Sequence, residues 1–213
     1  MDIYKFESET LVDAYRTVGK QIVDLVATIP PQDLDDPALG PWTTRVLVAH
    51  TMRSFSGVSG YLEAGSGLSP NLFGPSSYYV AAFEQVVSRA DIDHRAVEEA
   101  KQLGSDLALA CRAAYDTAMT VLSNATSDTP VKTPFGVLQL DHYLPSRIVE
   151  LVVHGEDIKS AVGSACELDA RATEIASITC MAVAQKRQMG TEALLALTGR
   201  RRLPATFDVL GFA

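Results

Sequence analysis

Apolar residues recur at steps of three and four in several long stretches of the chain, the spacing of an amphipathic helix. The first stretch runs from Ser8 to Ile29 and ends before Pro30 and Pro31. Its apolar stripe consists of Leu11, Val12, Tyr15, Val18, Ile22, Leu25 and Val26. We predict a helix here, followed by a proline-rich, acidic connection over residues 30–41.

A second helix is predicted over residues 42–65, with Thr43 or Thr44 near its start and Gly65 or Gly67 near its end. Residues 67–76 have the composition of a loop, which predicts either a lid or a simple connection. A weak helical pattern covers residues 78–88. Regularly spaced apolar residues then predict one long helix from about residue 91 to residue 123.

Alternating apolar and polar residues around Phe135 and Gly136 predict a short β-hairpin or an extended arm over residues 131–140. Helices are then predicted over residues 140–163, 169–189 and 191–200, before an apolar-rich tail over residues 203–213. This order predicts an all-α protein, an antiparallel helical bundle with one short hairpin and additional C-terminal helices. At 213 residues the chain suits one domain spanning residues 1–213.

The helix over Leu140–Gly163 carries the most unusual pattern. Asp141 can cap its start, Pro145 falls in its predicted first turn, and Gly163 can close it. Four polar residues recur on one side of this helix at steps of three and four: Arg147, Glu150, His154 and Asp157.

Such a stripe is often solvent-exposed, but apolar residues flank this one on both sides. Leu151 and Ile158 lie on one flank, and Val149 and Val153 lie on the other. Glu156 and Lys159 occupy the opposite arc, which is the better candidate for contact with water. We therefore predict that the stripe points into the protein.

Glu150 and His154 are four residues apart, a spacing at which a carboxylate and an imidazole can bind one metal ion. A third candidate ligand, His50, lies on the second helix beside the small residues Ser54 and Gly57, which leave room for a substrate. If the two helices pack together, His50, Glu150 and His154 form a set with one open coordination position. Zinc is the first choice of metal, with nickel, iron or manganese also compatible.

Arg147 and Asp157 lie one turn on either side of these candidate ligands. Asp157 can fix the tautomer of a ligand histidine, and Arg147 can pair with Glu150 or Asp157 or hold a substrate carboxylate. A simple intrahelical salt bridge is the alternative.

Composition excludes several other classes of function. The net charge of −8 and the pI near 5.0 disfavour nucleic acid as a partner. The N-terminal residues lack a basic region followed by an apolar run, and no apolar run of about 18 residues occurs, so no membrane contact and a cytoplasmic location are expected. Oligomeric state is left open between monomer and homodimer.

The remaining candidate residues are assigned structural roles. The three cysteines, Cys111, Cys166 and Cys180, are expected to be small buried residues, because they are far apart and form no C-x-x-C motif. The run of arginines at residues 200–202 is expected in a solvated turn, although it could grip an anion. His94 and His142 are expected at the surface.

Several of these segments resemble a known family. The stretches PWTTRVLVAHTMRS, TPFGVLQLDHYL and RIVELVVHGEDIKSAVG, followed by LLALTGR, look like the metal-binding domain of the mycothiol-dependent maleylpyruvate isomerase family, part of the DinB/YfiT-like superfamily. The resemblance covers nearly the whole chain. It rests chiefly on the combination of W-x-x-R-x-L-x-x-H with E-x-x-x-H-G-x-D.

The resemblance implies a four-helix bundle with an added hairpin and helix, and zinc bound by His50, Glu150 and His154. It also implies that mycothiol, a low-molecular-weight thiol, binds the open zinc position as a thiolate and attacks a small electrophile. The isomerase has a further C-terminal domain, whereas this chain ends at Ala213. We therefore expect a thiol-dependent transferase or isomerase of a small electrophile other than maleylpyruvate. Two alternatives remain open: a binding or regulatory module without turnover, and a structural bundle with a buried hydrogen-bond network.

Overall fold

Helices dominate the computed structural model, which describes residues 4–85 and 89–210. In these residues the helices are α1 (Ser8–Ala27), α2 (Thr44–Gly65), α3 (Ser77–Glu84), α4 (Arg89–Gln102), α5 (Leu107–Leu122), α6 (Leu140–Val162), α7 (Ala170–Lys186) and α8 (Gly190–Leu197). The strands are β1 (Pro37–Leu39), β2 (Trp42–Thr43), β3 (Pro130–Thr133) and β4 (Gly136–Gln139).

Four of the helices form the central bundle. Both α1 and α2 pack against α5 and against α6, so that each helix contacts two neighbours around a shared core. Helix α4 covers α2, α7 covers α6, and α8 packs on α7. The prediction of an all-α bundle is confirmed. Across residues 4–85 and 89–210, every helix is too short or too polar to cross a bilayer.

The apolar stripe of α1 explains how the bundle closes. Six of its seven predicted residues are buried, and only Val12 remains partly exposed. Burying side chains of this size contributes about 1.5–3 kcal/mol each relative to an exposed position. The helix ends before the two prolines, as predicted.

The start of α6 differs from the prediction. Asp141 is not the cap, because the helix already begins at Leu140 after Gln139, whose side chain makes no capping hydrogen bond. Main-chain carbonyls cap the helix instead: the Leu140 amide donates to Thr129 O and the Asp141 amide donates to Ser127 O, both at 3.0 Å. Pro145 therefore lies inside the helix rather than in its first turn. At the other end, Gly163 closes the helix with φ +66°, a conformation that favours glycine.

The long helix predicted over residues 91–123 is wrong, because the structure has two helices there, α4 and α5. The break lies at Gly104, and the side chain of Asp106 then caps α5 by accepting a hydrogen bond from the Leu109 amide at 2.9 Å. The weak helix predicted for residues 78–88 corresponds to α3, and its last three residues lie outside the described residues.

The connections are more ordered than predicted. The segment after α1 contains a 3₁₀ turn (Pro31–Asp35) and the β1–β2 hairpin, and Thr43 caps α2 by accepting from the Val46 amide. The hairpin predicted over residues 131–140 is confirmed as β3–β4. The loop over residues 67–76 is attached to β4, because the amides of Asn71 and Leu72 both donate to Val137 O.

Some assignments of single side chains are confirmed and others are wrong. Cys111 is buried and Cys180 is partly buried, but Cys166 is exposed because it follows the end of α6 in a connection. His94 and the arginines at residues 200–202 are exposed, as predicted. His142 is only partly exposed, because it lies in the first turn of α6. Residues 211–213 of the predicted tail lie outside the described residues.

Candidate metal centre

Packing of α2 against α6 brings the three candidate ligands together. His50, Glu150 and His154 each offer one ligand atom, and these atoms lie within 4.8 Å of one another. The two imidazole rings meet edge to face, with centroids 5.0 Å apart and an interplanar angle of 87°. The ligand set that the spacing predicted is therefore assembled in space.

Asp157 holds His154, as the spacing predicted. Its Oδ2 lies 3.0 Å from His154 Nδ1, so the other ring nitrogen, Nε2, faces Glu150 Oε2 at 3.4 Å. Burial lowers the pKa of His154, but the hydrogen bonds to Asp157 and Glu150 raise it more, to about 9. Without a metal ion, His154 is therefore protonated at neutral pH.

The pKa values of Glu150 and His50 are lowered, whereas that of His154 is raised. Burial raises the pKa of the Glu150 carboxyl, but the hydrogen bond from His154 and the positive charge of Arg147 hold it well below its usual range. Burial and the neighbouring His154 lower the pKa of His50 to about 3. At neutral pH, Glu150 is ionised and His50 is a neutral imidazole.

Tyr79 is a residue that the sequence analysis missed. Its hydroxyl lies 2.8 Å from Glu150 Oε1 and 3.0 Å from Ser146 O, which fixes one carboxylate oxygen and leaves the other near His154. The pattern of residues 78–88 indicated only a weak helix. A buried tyrosine hydroxyl usually has a hydrogen-bond partner, but nothing in the sequence indicates that the partner of Tyr79 is Glu150.

The candidate ligands line a cavity of about 830 Å³. Ser54 and Gly57 of α2 contribute to its wall, as their small size predicted, and Tyr61 lies on the same wall. The Tyr143 hydroxyl approaches Gly57 closely: a Cβ atom at Gly57 would lie 3.0 Å from it, so a larger residue there would have to displace the hydroxyl. Residues 67–76 and His142 are not among the residues that line this cavity.

Aromatic residues and the flanks of α6 complete the wall. The Trp42 ring lies 4.7 Å from the His50 ring, centroid to centroid, and its Nε1 donates to Asp93. Val149 is buried as predicted, whereas Val153 is 39% exposed because it borders the cavity. Glu156 is exposed, but Lys159 is only partly so because it pairs with Glu156 along the helix.

Arg147 also lines the cavity, but its predicted ion pairs are not formed. Among the described residues it forms no ion pair with Glu150 or Asp157. The predicted intrahelical salt bridge is therefore wrong for Arg147. Its side chain instead packs against Tyr78 and Tyr143.

Comparison with known proteins identifies the family of this chain. A family model for the mycothiol maleylpyruvate isomerase N-terminal domain matches residues 15–159, a segment that contains all three candidate ligands. The chain belongs to this family. The mycothiol maleylpyruvate isomerase N-terminal domain is DinB-like, in agreement with the helical bundle. No curated protein and no solved structure gives a significant match.

In this member of the mycothiol maleylpyruvate isomerase N-terminal domain family, the donor set suits a divalent cation. Two imidazoles and one carboxylate are ligands that zinc accepts, and three protein ligands are typical of a site with an open position. Asp157 on His154 and Tyr79 on Glu150 are the kind of partner that orients metal ligands. The residues present therefore fit a metal ion.

Proposed function

We propose that the protein is a metal- and mycothiol-dependent transferase or isomerase that acts on a small electrophile. The observation that carries the proposal is the convergence of His50, Glu150 and His154 on a cavity of about 830 Å³. The name of the family supports mycothiol as the thiol. Zinc is the metal proposed first, with nickel, iron or manganese as alternatives.

The side chains of the site have distinct proposed roles. His50, Glu150 and His154 hold the cation, Asp157 keeps His154 Nε2 directed at the site, and Tyr79 orients Glu150. A bound divalent cation would lower the pKa of a thiol beside it, so that mycothiol reacts as a thiolate near neutral pH. Aromatic side chains on the cavity wall leave less room for water, which would strengthen these polar interactions.

No cysteine among the described residues lines this cavity, so the chain offers no thiol of its own there. Burial raises the pKa of Cys111 to about 12 and that of Cys180 to about 11. Cys166 is exposed and is not among the residues that line the cavity. A thiol supplied from outside agrees with this arrangement.

The experiment first measures metal content and then turnover with a model electrophile. We expect about one metal ion per chain by mass spectrometry, because the site offers one set of three ligands. Mycothiol is then mixed with monobromobimane, so that a sulfur–carbon bond forms, bromide leaves with the bonding electron pair, and the thiol proton passes to solvent. The metal-loaded protein should accelerate appearance of the fluorescent product.

Two controls make this result specific. The protein dialysed against a chelator, and a His50→Ala variant that still folds, should give the uncatalysed rate. Equal rates with and without metal would contradict the proposal. Binding of metal and mycothiol without turnover would instead support a binding or regulatory module.

We also propose one domain over residues 1–213 and a cytoplasmic location, as a monomer or homodimer. The described elements pack around one bundle, which supports the single domain. A reducing compartment keeps a low-molecular-weight thiol available, which supports the location.

A further inference from the structure

Arg147 is a buried cation on the wall of the cavity. The residue is only 6% exposed, and its side chain contributes to the cavity lining. Its Nε donates a hydrogen bond to Ser146 Oγ at 3.2 Å. The guanidinium carbon lies 4.7 Å from the Tyr78 ring centroid and 5.1 Å from that of Tyr143, so two aromatic rings fix its position.

The guanidinium has no anionic partner among residues 4–85 and 89–210. Its Nη atoms donate to no acceptor in that part of the chain, and no carboxylate lies within ion-pair distance. Burial raises the pKa of the Tyr78 and Tyr143 hydroxyls, so neither ring supplies a negative charge. The charge of Glu150 acts on Arg147 only at longer range.

The other arginines at this cavity differ from Arg147. Arg53 pairs with the Glu99 carboxylate, and Arg95 is exposed. Arg147 alone among these three combines burial with an unpaired charge. A guanidinium remains charged in proteins, and a buried charge without a partner is costly. The cavity is the side from which a partner can reach it.

We propose that Arg147 binds a carboxylate of the ligand that occupies this cavity, and thereby selects for anionic substrates. A guanidinium presents two parallel N–H groups that match the two oxygens of a carboxylate. Arg147 precedes Glu150 by three residues, a rise of about 4.5 Å along the helix. The carboxylate therefore binds about one turn from the candidate ligands, and the assignment of that carboxylate to the electrophile rests on the proposed function.

The test compares two probes of similar shape, benzoate and neutral benzamide. Their binding to the full chain is measured by calorimetry, both with metal and after dialysis against a chelator. We expect benzoate to bind about tenfold more tightly than benzamide, because hydrogen bonds to a charged group are stronger than neutral ones. The preference should persist without metal, which separates binding at Arg147 from direct ligation of the cation.

Arg147→Gln should remove this preference, because benzoate then loses the charged pair that benzamide cannot form. The matched control is Arg95→Gln, which replaces an exposed arginine at the same cavity and should retain the preference. A wild-type protein that does not distinguish the probes would overturn the proposal, as would a preference retained by Arg147→Gln or seen only with metal.

A second variant covers the case in which Arg147→Gln does not fold. Arg147→Lys keeps the charge but loses the two parallel donors, so benzoate should bind about threefold or more weakly than to the wild type. Unchanged binding by this variant would contradict the proposal. If benzoate is preferred but mycothiol turnover is absent, the anion site stands and the proposed function fails.

Discussion

The bundle contains two clusters of aromatic residues, one packed in the core and one beside the cavity. The packed cluster consists of Tyr15, Phe55 and Tyr115, where α1, α2 and α5 meet. Phe55 is fully buried and meets both tyrosine rings edge to face, at 6.2 and 5.6 Å between centroids. Each tyrosine hydroxyl donates to a main-chain carbonyl, Tyr15 to Ser54 at 2.9 Å and Tyr115 to Arg16 at 3.2 Å.

The cavity cluster consists of Tyr78, Tyr79 and Tyr143, between α3 and α6. Its rings also meet edge to face, at 5.4 and 5.7 Å between centroids. Its polar contacts are different, because Tyr79 donates to Glu150 and two of the rings surround the Arg147 guanidinium. The Tyr143 hydroxyl is buried without a protein partner among the described residues.

Tyrosines therefore have two roles in this protein, and the groups that they contact determine which role each one has. Tyrosines that donate to main-chain carbonyls join helices and fill space. Tyrosines that contact an ionised side chain hold that side chain in place beside the cavity. This comparison predicts that stability and ligand binding can be changed separately.

The largest expected effect is on stability, in the packed cluster. Phe55→Ala should lower the free energy of unfolding by about 3–5 kcal/mol, because it leaves a cavity between two buried tyrosine rings. Chemical denaturation measures this change. Metal content per folded chain should stay at the wild-type value, and its loss from a folded variant would show that the two clusters are not separable.

An intermediate effect is expected beside the candidate ligands. Asp157→Ala should lower metal affinity about tenfold or more, because His154 loses the partner that orients its ring. A competitive titration with a chromophoric chelator measures it, best above pH 9, where His154 is deprotonated.

The matched control for Asp157 is Glu156→Ala. Glu156 is exposed and pairs only with Lys159 among the ion pairs of the described residues. Its removal should leave metal affinity within about twofold, since exposed ion pairs contribute little. Equal losses in the two variants would mean that Asp157 has no orienting role.

The third test changes the pH rather than the sequence, and it measures how metal affinity depends on pH. In the metal-free protein the pKa of His154 is about 9 and that of His50 is about 3, so binding at neutral pH must displace one proton from His154. Affinity should rise about tenfold per pH unit up to about pH 9 and level off above it. Titrations from pH 6.5 to 9.5 measure the slope.

A flat profile over this range would contradict the assigned protonation of His154. The packed cluster provides the contrast, because burial raises the pKa values of Tyr15 and Tyr115 and neither group titrates below pH 9. The free energy that this cluster contributes should therefore not change over the same range.

Sequence reasoning recovered what depends on local spacing. The apolar stripe of α1 predicted a helix within two residues of its observed end at Ala27. The spacing of Glu150, His154 and Asp157 predicted one polar face, because helical geometry relates residues three and four apart. His50 was found because it is a lone polar ring beside small residues on an otherwise apolar face.

The spacing of residues along the sequence does not predict contacts between distant segments. Nothing in the sequence near Tyr79 indicates that its hydroxyl meets Glu150, since docking of α3 on α6 creates that contact. The break between α4 and α5 was missed for another reason. Apolar spacing continues on both sides of Gly104, and the capping role of Asp106 is a short-range signal that the longer pattern obscured.

The main-chain caps at the start of α6 make the position of the candidate ligands tolerant of sequence drift. Thr129 and Ser127 provide carbonyl oxygens, which every amino acid possesses, rather than side-chain groups. Exchange of either residue in an evolving lineage would leave the acceptors for the Leu140 and Asp141 amides in place. The caps of α6 thus depend on the backbone path of this turn and not on the identity of these two residues, so Glu150 and His154 keep their register.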